Sequence, residues 1–151
     1  MDFWDLVISE VHGIRPAELI AAQKEGRKVF GTFCVYVPDE VVIAANGIVT
    51  GLCGGSQFWV PGGETVLPKS TCPLVKASVG ARIGRTCPFF RIADMYVGET
   101  TCDAKKKAYE ILGEDVPMYI MDVPQMKREK DIIKWKDEIA EFAKKVEEFT
   151  G

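Results

Sequence analysis

A threonine–cysteine pair occurs three times between Thr71 and Lys107, at Thr71-Cys72, Thr86-Cys87 and Thr101-Cys102, each fifteen residues beyond the last. Proline follows two of the pairs, as Pro73 and Pro88, and Asp103 follows the third. Proline suits the first helical position because its missing N–H would be unpaired there, and a carboxylate suits the positive end of a helix dipole. Each thiol is therefore expected at a helix entrance, where the same dipole stabilises the thiolate, the form that binds metal or attacks. Free cysteine is also a small hydrophobe, often buried for packing alone. The spacing leaves a metal or redox role and simple burial both open.

The remaining residues narrow the chemistry. Cys34 and Cys53 bring the total to five cysteines. An odd number, in a chain whose first residues carry acids where a signal peptide needs bases, favours reduced thiols or a metal site over a disulfide framework. No CxxC pair is present, which argues against a zinc ribbon or a thioredoxin-type dithiol, and the single histidine, His12, excludes an HxxxH site. Beside Gly13, His12 reads as a turn or cap residue. All-sulfur ligation from widely spaced cysteines suits an iron–sulfur cluster whose geometry the fold must impose. Lys105 and Lys106 open the helix expected after Cys102, where lysine opposes the dipole. They are candidates for contact with an anionic cluster, a phosphate or an acidic partner, although a solvated helix face also explains a lysine run. The loop Gly51 to Gly63 holds five glycines but matches neither the Walker nor the dinucleotide spacing.

The elements that would position these thiols follow from pattern. Asp2 to Val11 and Arg15 to Gly26 read as a helical arm, residues 1–27, with Leu19, Ile20 and Ala22 inward. Lys28 to Val37 has the composition of a buried strand, Pro38-Asp39-Glu40 opens a helix ending at Asn46-Gly47, and Ile48 to Leu52 is a second strand. Strand, helix, strand at this spacing predicts a parallel sheet with right-handed crossovers. Further strands are expected over Ile92 to Val97 and Val116 to Met121, with a helix from Cys102 to Leu112 between them. Ile132, Trp135, Ile139, Phe142, Val146 and Phe149 recur at steps of three and four, giving an amphipathic closing helix that packs on the sheet or on a neighbouring domain. The expected fold is α/β, a flavodoxin-like parallel sheet of about four strands with helices on both faces, over residues 28–151. Open sheets of this kind bind ligands beyond the carboxyl ends of their strands. On that topology all five thiols are expected along one edge of the sheet.

Composition sets outer limits. With 151 residues, 47% hydrophobic and 27% charged, the chain matches one soluble domain with a single core. A formal net charge of −3, from 19 basic and 22 acidic residues, gives no reason to expect nucleic acid or an anionic membrane as partner. No apolar run reaches membrane-spanning length, and a cytoplasmic location is expected.

Three segments carry a family resemblance: GTFCVYVPDEVVIAANG, LPKSTCPLVKASVG, and DMYVGETTCDAKKKAYEILG followed by MYIMDVPQ. In these the chain resembles the 2-hydroxyacyl-CoA dehydratase and benzoyl-CoA reductase superfamily of iron–sulfur proteins, from Val29 to the final helix. The resemblance implies that Cys72 and Cys102 are the two cysteines such N-terminal domains give to a 4Fe-4S cluster. The form CPLVKAS, TCPFF, GETTCDAKKK is most similar to the branch of double-cubane cluster proteins. In that branch two cubanes share a sulfide as an 8Fe-9S centre, which would add Cys34 and Cys87 as ligands and leave Cys53 as the remaining candidate. No side-chain nucleophile is evident, and none is needed. The resemblance further implies a separate ATP-hydrolysing iron–sulfur activator protein as partner, low-potential electron transfer under anaerobic conditions, and a homodimer or heterodimer.

Superfamily subunits usually carry a second α/β domain with further ligands. Its lack here leads us to expect an N-terminal portion of a longer protein. Three functions follow: the cluster-binding domain of an activator-driven reductase, a single-cluster 2-hydroxyacyl-CoA dehydratase subunit acting through radical loss of water, or a metal-free binding or assembly domain.

Overall fold

The computed structural model describes residues 13–52 and 54–151. The helix expected over Asp2 to Val11, His12 and Cys53 lie outside the described residues. Helix α1 (Arg15–Lys24) leads into β1 (Val29–Thr32), α2 (Asp39–Ala44) and β2 (Ile48–Gly51). A 3-10 turn at Gln57–Trp59 and a single turn α3 (Val60–Gly63) precede α4 (Pro73–Ile83), α5 (Pro88–Ile92) and β3 (Met95–Glu99). Helix α6 (Asp103–Leu112), β4 (Met118–Met121) and α7 (Glu129–Thr150) complete the fold.

All four strands are parallel, in the order β2-β1-β3-β4, with Phe30 opposite both Val49 and Met95 and Val97 opposite Tyr119. This is a flavodoxin-like sheet. Its strand order reverses between β1 and β3, so the loops after those two strands diverge to opposite faces and leave a crevice at the carboxyl edge.

Alternation along the short strands divides the core in two. Val29, Tyr96 and Met118 face a layer made by α1, α4, α5 and α6, including Leu19, Val79, Phe90 and Tyr109. Phe30, Met95, Val97 and Met121 face α2 and α7 through Val42, Phe142 and Val146. The closing helix therefore packs on the sheet. Leu19 of α1 is fully buried in the first layer, and Gln23 Nε2 donates to Ile92 O at 2.8 Å. Ile20, expected inward, is instead exposed, because the apolar contact of α1 is confined to Pro16 and Leu19.

Several strands are shorter than their composition suggested. β1 stops at Thr32 because the chain turns over the sheet edge there, leaving Val35 89% exposed. The apolar run Ile92 to Val97 is divided between α5 and β3. At the break Asp94 Oδ2 accepts from Val29 N at 2.8 Å and pins the amino end of β1. The glycine-rich segment is partly helical and lies against α4. Lys76, 5% exposed, fastens it there by donating to Glu64 Oε1 and Lys69 O, both at 2.7 Å.

Candidate metal centre

Cys72 and Cys102 occupy equivalent places as the N-cap residues of α4 and α6. Pro73 fills the first helical position after one and Asp103 the first turn after the other, the punctuation that starts a helix. Their carbonyls accept the first helical bonds, from Lys76 N at 3.0 Å and Lys106 N at 3.2 Å. Neither thiol caps its helix, and both residues are exposed. Val75, three residues after Cys72, and Lys105, three after Cys102, line one cleft between α4 and α6. The two helices thus run side by side in the same direction, and both thiols stand at the end where their dipoles are positive.

Cys34 lies two residues beyond β1, half-buried, and near enough to Lys105 to help raise the pKa of its ammonium. It also borders a groove of about 770 Å³ whose walls include Tyr36, Asp39, Glu40, Trp135 and Ile139. Cys34 thus follows the carboxyl end of β1 and Cys102 that of β3, while Cys72 opens the helix that packs beside α6.

Cys87 does not join them. It caps α5, packs against the first core layer and stands near Tyr96 with Arg82 and Asp115. Burial pushes the Tyr96 phenol up; the neighbouring Arg82 works against this and Cys87 adds to it. Asp115 precedes β4 and α5 precedes β3, so this cluster marks the amino edge of the sheet. The expectation of all five thiols on one edge is corrected here: α4 carries the chain back across the sheet before Cys87 is reached. Cys53 is outside the described residues. Among those described, no group of three or more His, Cys, Asp or Glu side chains is close enough to hold a metal ion by itself.

At the end of β3, around Lys105, lies a polar node whose Glu99, Thr101 and Tyr109 the sequence does not announce. Glu99, at the end of β3, is fully buried. Its Oε1 accepts from Thr101 Oγ1 at 2.8 Å and from Lys105 Nζ, and Tyr109 OH stands 3.4 Å from Oε2. Burial pushes the Tyr109 phenol up, so it remains a donor. Burial also acts to lower the Lys105 pKa, but the hydrogen bond and charge of Glu99, with Cys34 beyond, outweigh it and the net shift is upward. The close approach of α6 depends on Gly98, where an added Cβ would lie 2.5 Å from the Tyr109 ring. The available signal was a carboxylate ending an apolar strand, with a lysine six residues and a tyrosine ten residues later. Lys106 and Lys107 point elsewhere, paired with Asp103 and Glu110 on the helix surface.

A second cluster ties β4 to the same edge. Thr100 Oγ1 donates to Asp122 Oδ1 at 2.9 Å and accepts from Val123 N at 3.0 Å, while Lys134 Nζ donates to Asp122 Oδ2. The hydrogen bonds from Lys134 and Thr100 hold the Asp122 carboxyl below the usual carboxylate range. A depressed pKa gives stability that is present above the unfolded-state value and lost as pH falls through the folded one. Urea unfolding in acid should therefore show a smaller loss of stability in Asp122→Asn than in the wild type. Parallel pH profiles for the two proteins would refute the coupling.

The donor set fits an anionic thiolate-bound centre in chemistry: soft sulfur ligands, two positive helix ends and one ammonium at a single edge. A cubane takes about four thiolates, so a cluster held by Cys34, Cys72 and Cys102 would need at least one further ligand. Fold and site together define a flavodoxin-like α/β domain in which two adjacent helices each begin directly after an exposed cysteine.

Residues 34–151 match the 2-hydroxyglutaryl-CoA dehydratase D-component family, and the chain belongs to it. It is also 38% identical over 130 residues to YjiM of Escherichia coli (strain K12), described as a dehydratase subunit. That match covers 85% of this chain and 34% of YjiM, so the chain spans about a third of the length of this relative. No helix among the described residues is long and apolar enough to cross a membrane.

Proposed function

We propose that this chain is the iron–sulfur cluster-binding domain of an activator-driven, low-potential reductase related to 2-hydroxyacyl-CoA dehydratases, working in the cytoplasm. The observation that carries this reading is the pairing of Cys72 and Cys102 at the entrances of two adjacent parallel helices, with Cys34 across the crevice. Such a cluster, when bound, supplies one-electron transfer at low potential. The chain's own part is to hold and orient it. Cys72 and Cys102 would supply sulfur ligands from two helix entrances, Cys34 is the third candidate, and Glu99, Thr101 and Tyr109 fix the loop that carries Cys102. An ATP-hydrolysing iron–sulfur protein is the proposed electron donor, and a second dehydratase subunit or a second copy the proposed companion.

The position of Cys87 at the other edge of the sheet favours one cubane over a double cubane, and with it the dehydratase-like reading. Iron and acid-labile sulfide should be counted in protein purified and reconstituted without oxygen. About four irons per chain is the expected result. About eight would restore the double cubane. A colourless, iron-free and fully folded protein would leave either a scaffold that needs ligands from a further domain or a metal-free assembly domain, and a longer chain that also stays iron-free would sink the cluster reading.

A further inference from the structure

The outer edge of β4 is bare among the described residues. In a parallel ladder a strand turns alternate residues to either side, and β4 uses Pro117, Tyr119 and Met121 for β3: Tyr96 N donates to Pro117 O at 2.8 Å and Thr100 N to Met121 O at 3.0 Å. Met118 and Ile120 therefore aim their N–H and C=O groups outward, where no described residue meets them, and the Ile120 side chain is 45% exposed. Natural sheets blunt such an edge with charges, a bulge or proline. Here the strand reads Met-Tyr-Ile-Met, uncharged and in unbroken register with β3 from Met118 to Met121. The other edge differs, because β2 turns Val49 and Gly51 outward and glycine weakens a strand. The fold's own connections lead away from the β4 edge. In flavodoxin order a fifth strand lies beside the fourth, and that place is empty among the described residues. A strand following α7 would not reach it: α7 packs on the face that α2 covers, and over that face the right-handed crossover runs from β1 to β2, in the opposite direction.

We propose that the outer edge of β4 pairs with the same edge of a second copy of this chain, antiparallel about a twofold axis through Tyr119, so that the two sheets become one. Met118 of each chain then exchanges both backbone hydrogen bonds with Ile120 of the other, and the two Tyr119 rings stand opposite one another as an aromatic pair. Charge selects this direction. Glu114 before the strand, and Lys127 and Lys130 after it, are exposed and form no ion pair among the described residues, whereas Asp115, Asp122 and Arg128 are already paired with Arg82, Lys134 and Asp131. Antiparallel pairing brings the acidic approach of one chain beside the basic exit of the other, and parallel pairing would set like charges together. The proposal deepens, and rests on, the reading of a second copy as companion. No thiol takes part in it, so the iron count and this pairing fail separately.

The test uses the full chain in reducing buffer. Light scattering on a sizing column should give twice the mass of one chain. Amide hydrogen exchange, read residue by residue by mass spectrometry, should be at least about tenfold slower at Met118 and Ile120 in concentrated protein than after dilution to monomer. Tyr119 and Met121, bonded to β3 in either state, should stay slow throughout. Ile120→Pro removes an outward N–H that has no partner within the chain, so it should yield a folded monomer. Val35→Lys, which charges the most exposed large apolar side chain among the described residues, at the opposite end of the groove face, should remain a dimer.

A wild type that stays monomeric at its highest soluble concentration overturns the proposal. So does a dimer in which Met118 and Ile120 exchange as fast as in the diluted protein, or one that Val35→Lys dissociates and Ile120→Pro leaves intact. If Ile120→Pro does not fold, the exchange pattern of the wild type still decides. An iron-loaded monomer refutes this pairing alone, whereas an iron-free dimer with slow Met118 and Ile120 amides supports the pairing and counts only against the cluster reading.

Discussion

Alanine at Gly80 is expected to cost at least about 3 kcal/mol of stability, at the upper end of what overpacking does. An added Cβ would lie 1.9 Å from Trp59 O and 2.8 Å from Gly63 N. Both are backbone atoms and cannot rotate away. The same contact is tight from the other side, where a Cβ on Gly63 would meet Lys76 O at 2.0 Å. Helices α3 and α4 therefore touch backbone to backbone, and the side-chain-free stretch at Gly62 and Gly63 is what admits α4. Gly51, with no atom within 4 Å of a built Cβ, is the control, and its alanine variant should differ from wild type by less than about 0.5 kcal/mol. Urea unfolding of the two variants measures both. A Gly80→Ala protein as stable as Gly51→Ala would show that α4, and Cys72 with it, sits elsewhere.

Complete loss of bound iron is the expected result for Cys72→Ser and Cys102→Ser, with iron retained in Cys87→Ser. Serine keeps the size and helix-start geometry but gives up the soft thiolate that iron–sulfur binding needs. The two exposed N-cap thiols contribute little to packing, so both variants should unfold at nearly the urea concentration of the iron-free wild type while gaining no colour on reconstitution. Cys87 should behave in reverse: its thiol packs against the first core layer, and a hydroxyl there should lower stability while leaving iron content unchanged. Iron and sulfide counts beside urea curves for the three variants make the comparison. A folded Cys87→Ser protein that loses half its iron would bring the double cubane back.

The architecture was legible because it is written in periodicities. Phe142 and Val146 mark the buried stripe of α7, and Pro73, Asp103 and Gly113 mark where α4 and α6 begin and α6 ends. The helix entrances at Cys72, Cys87 and Cys102 were likewise readable, since N-terminal punctuation is local. Which sheet edge each entrance occupies is not local. Cys87 repeats the pattern of Cys72, yet α4 has carried the chain to the other end of the sheet by then. Glu99 escaped notice for a related reason. An acid after Val97-Gly98 looks like the first residue of a solvated loop, and only the fold of α6 back over Gly98 places Tyr109 and Lys105 on its carboxylate.

The junction of β1 with β3 has a consequence for when the centre can be assembled. Phe30 pairs with Met95, so Cys34 reaches its neighbour Lys105 only through a pairing that spans most of the chain between them. Contacts between residues so distant in sequence form late, because the entropy of closing the intervening loop must be met first. A nascent chain that has exposed Cys34 and Cys72 to the translating cell still lacks the third thiol and the ammonium. On the cluster reading, cofactor delivery would therefore be a step performed on a folded receiver. Lys105 reaches Glu99 and the neighbourhood of Cys34 in the same event, so on the cluster reading the apo domain would offer a carrier either the whole of its own contribution or almost none.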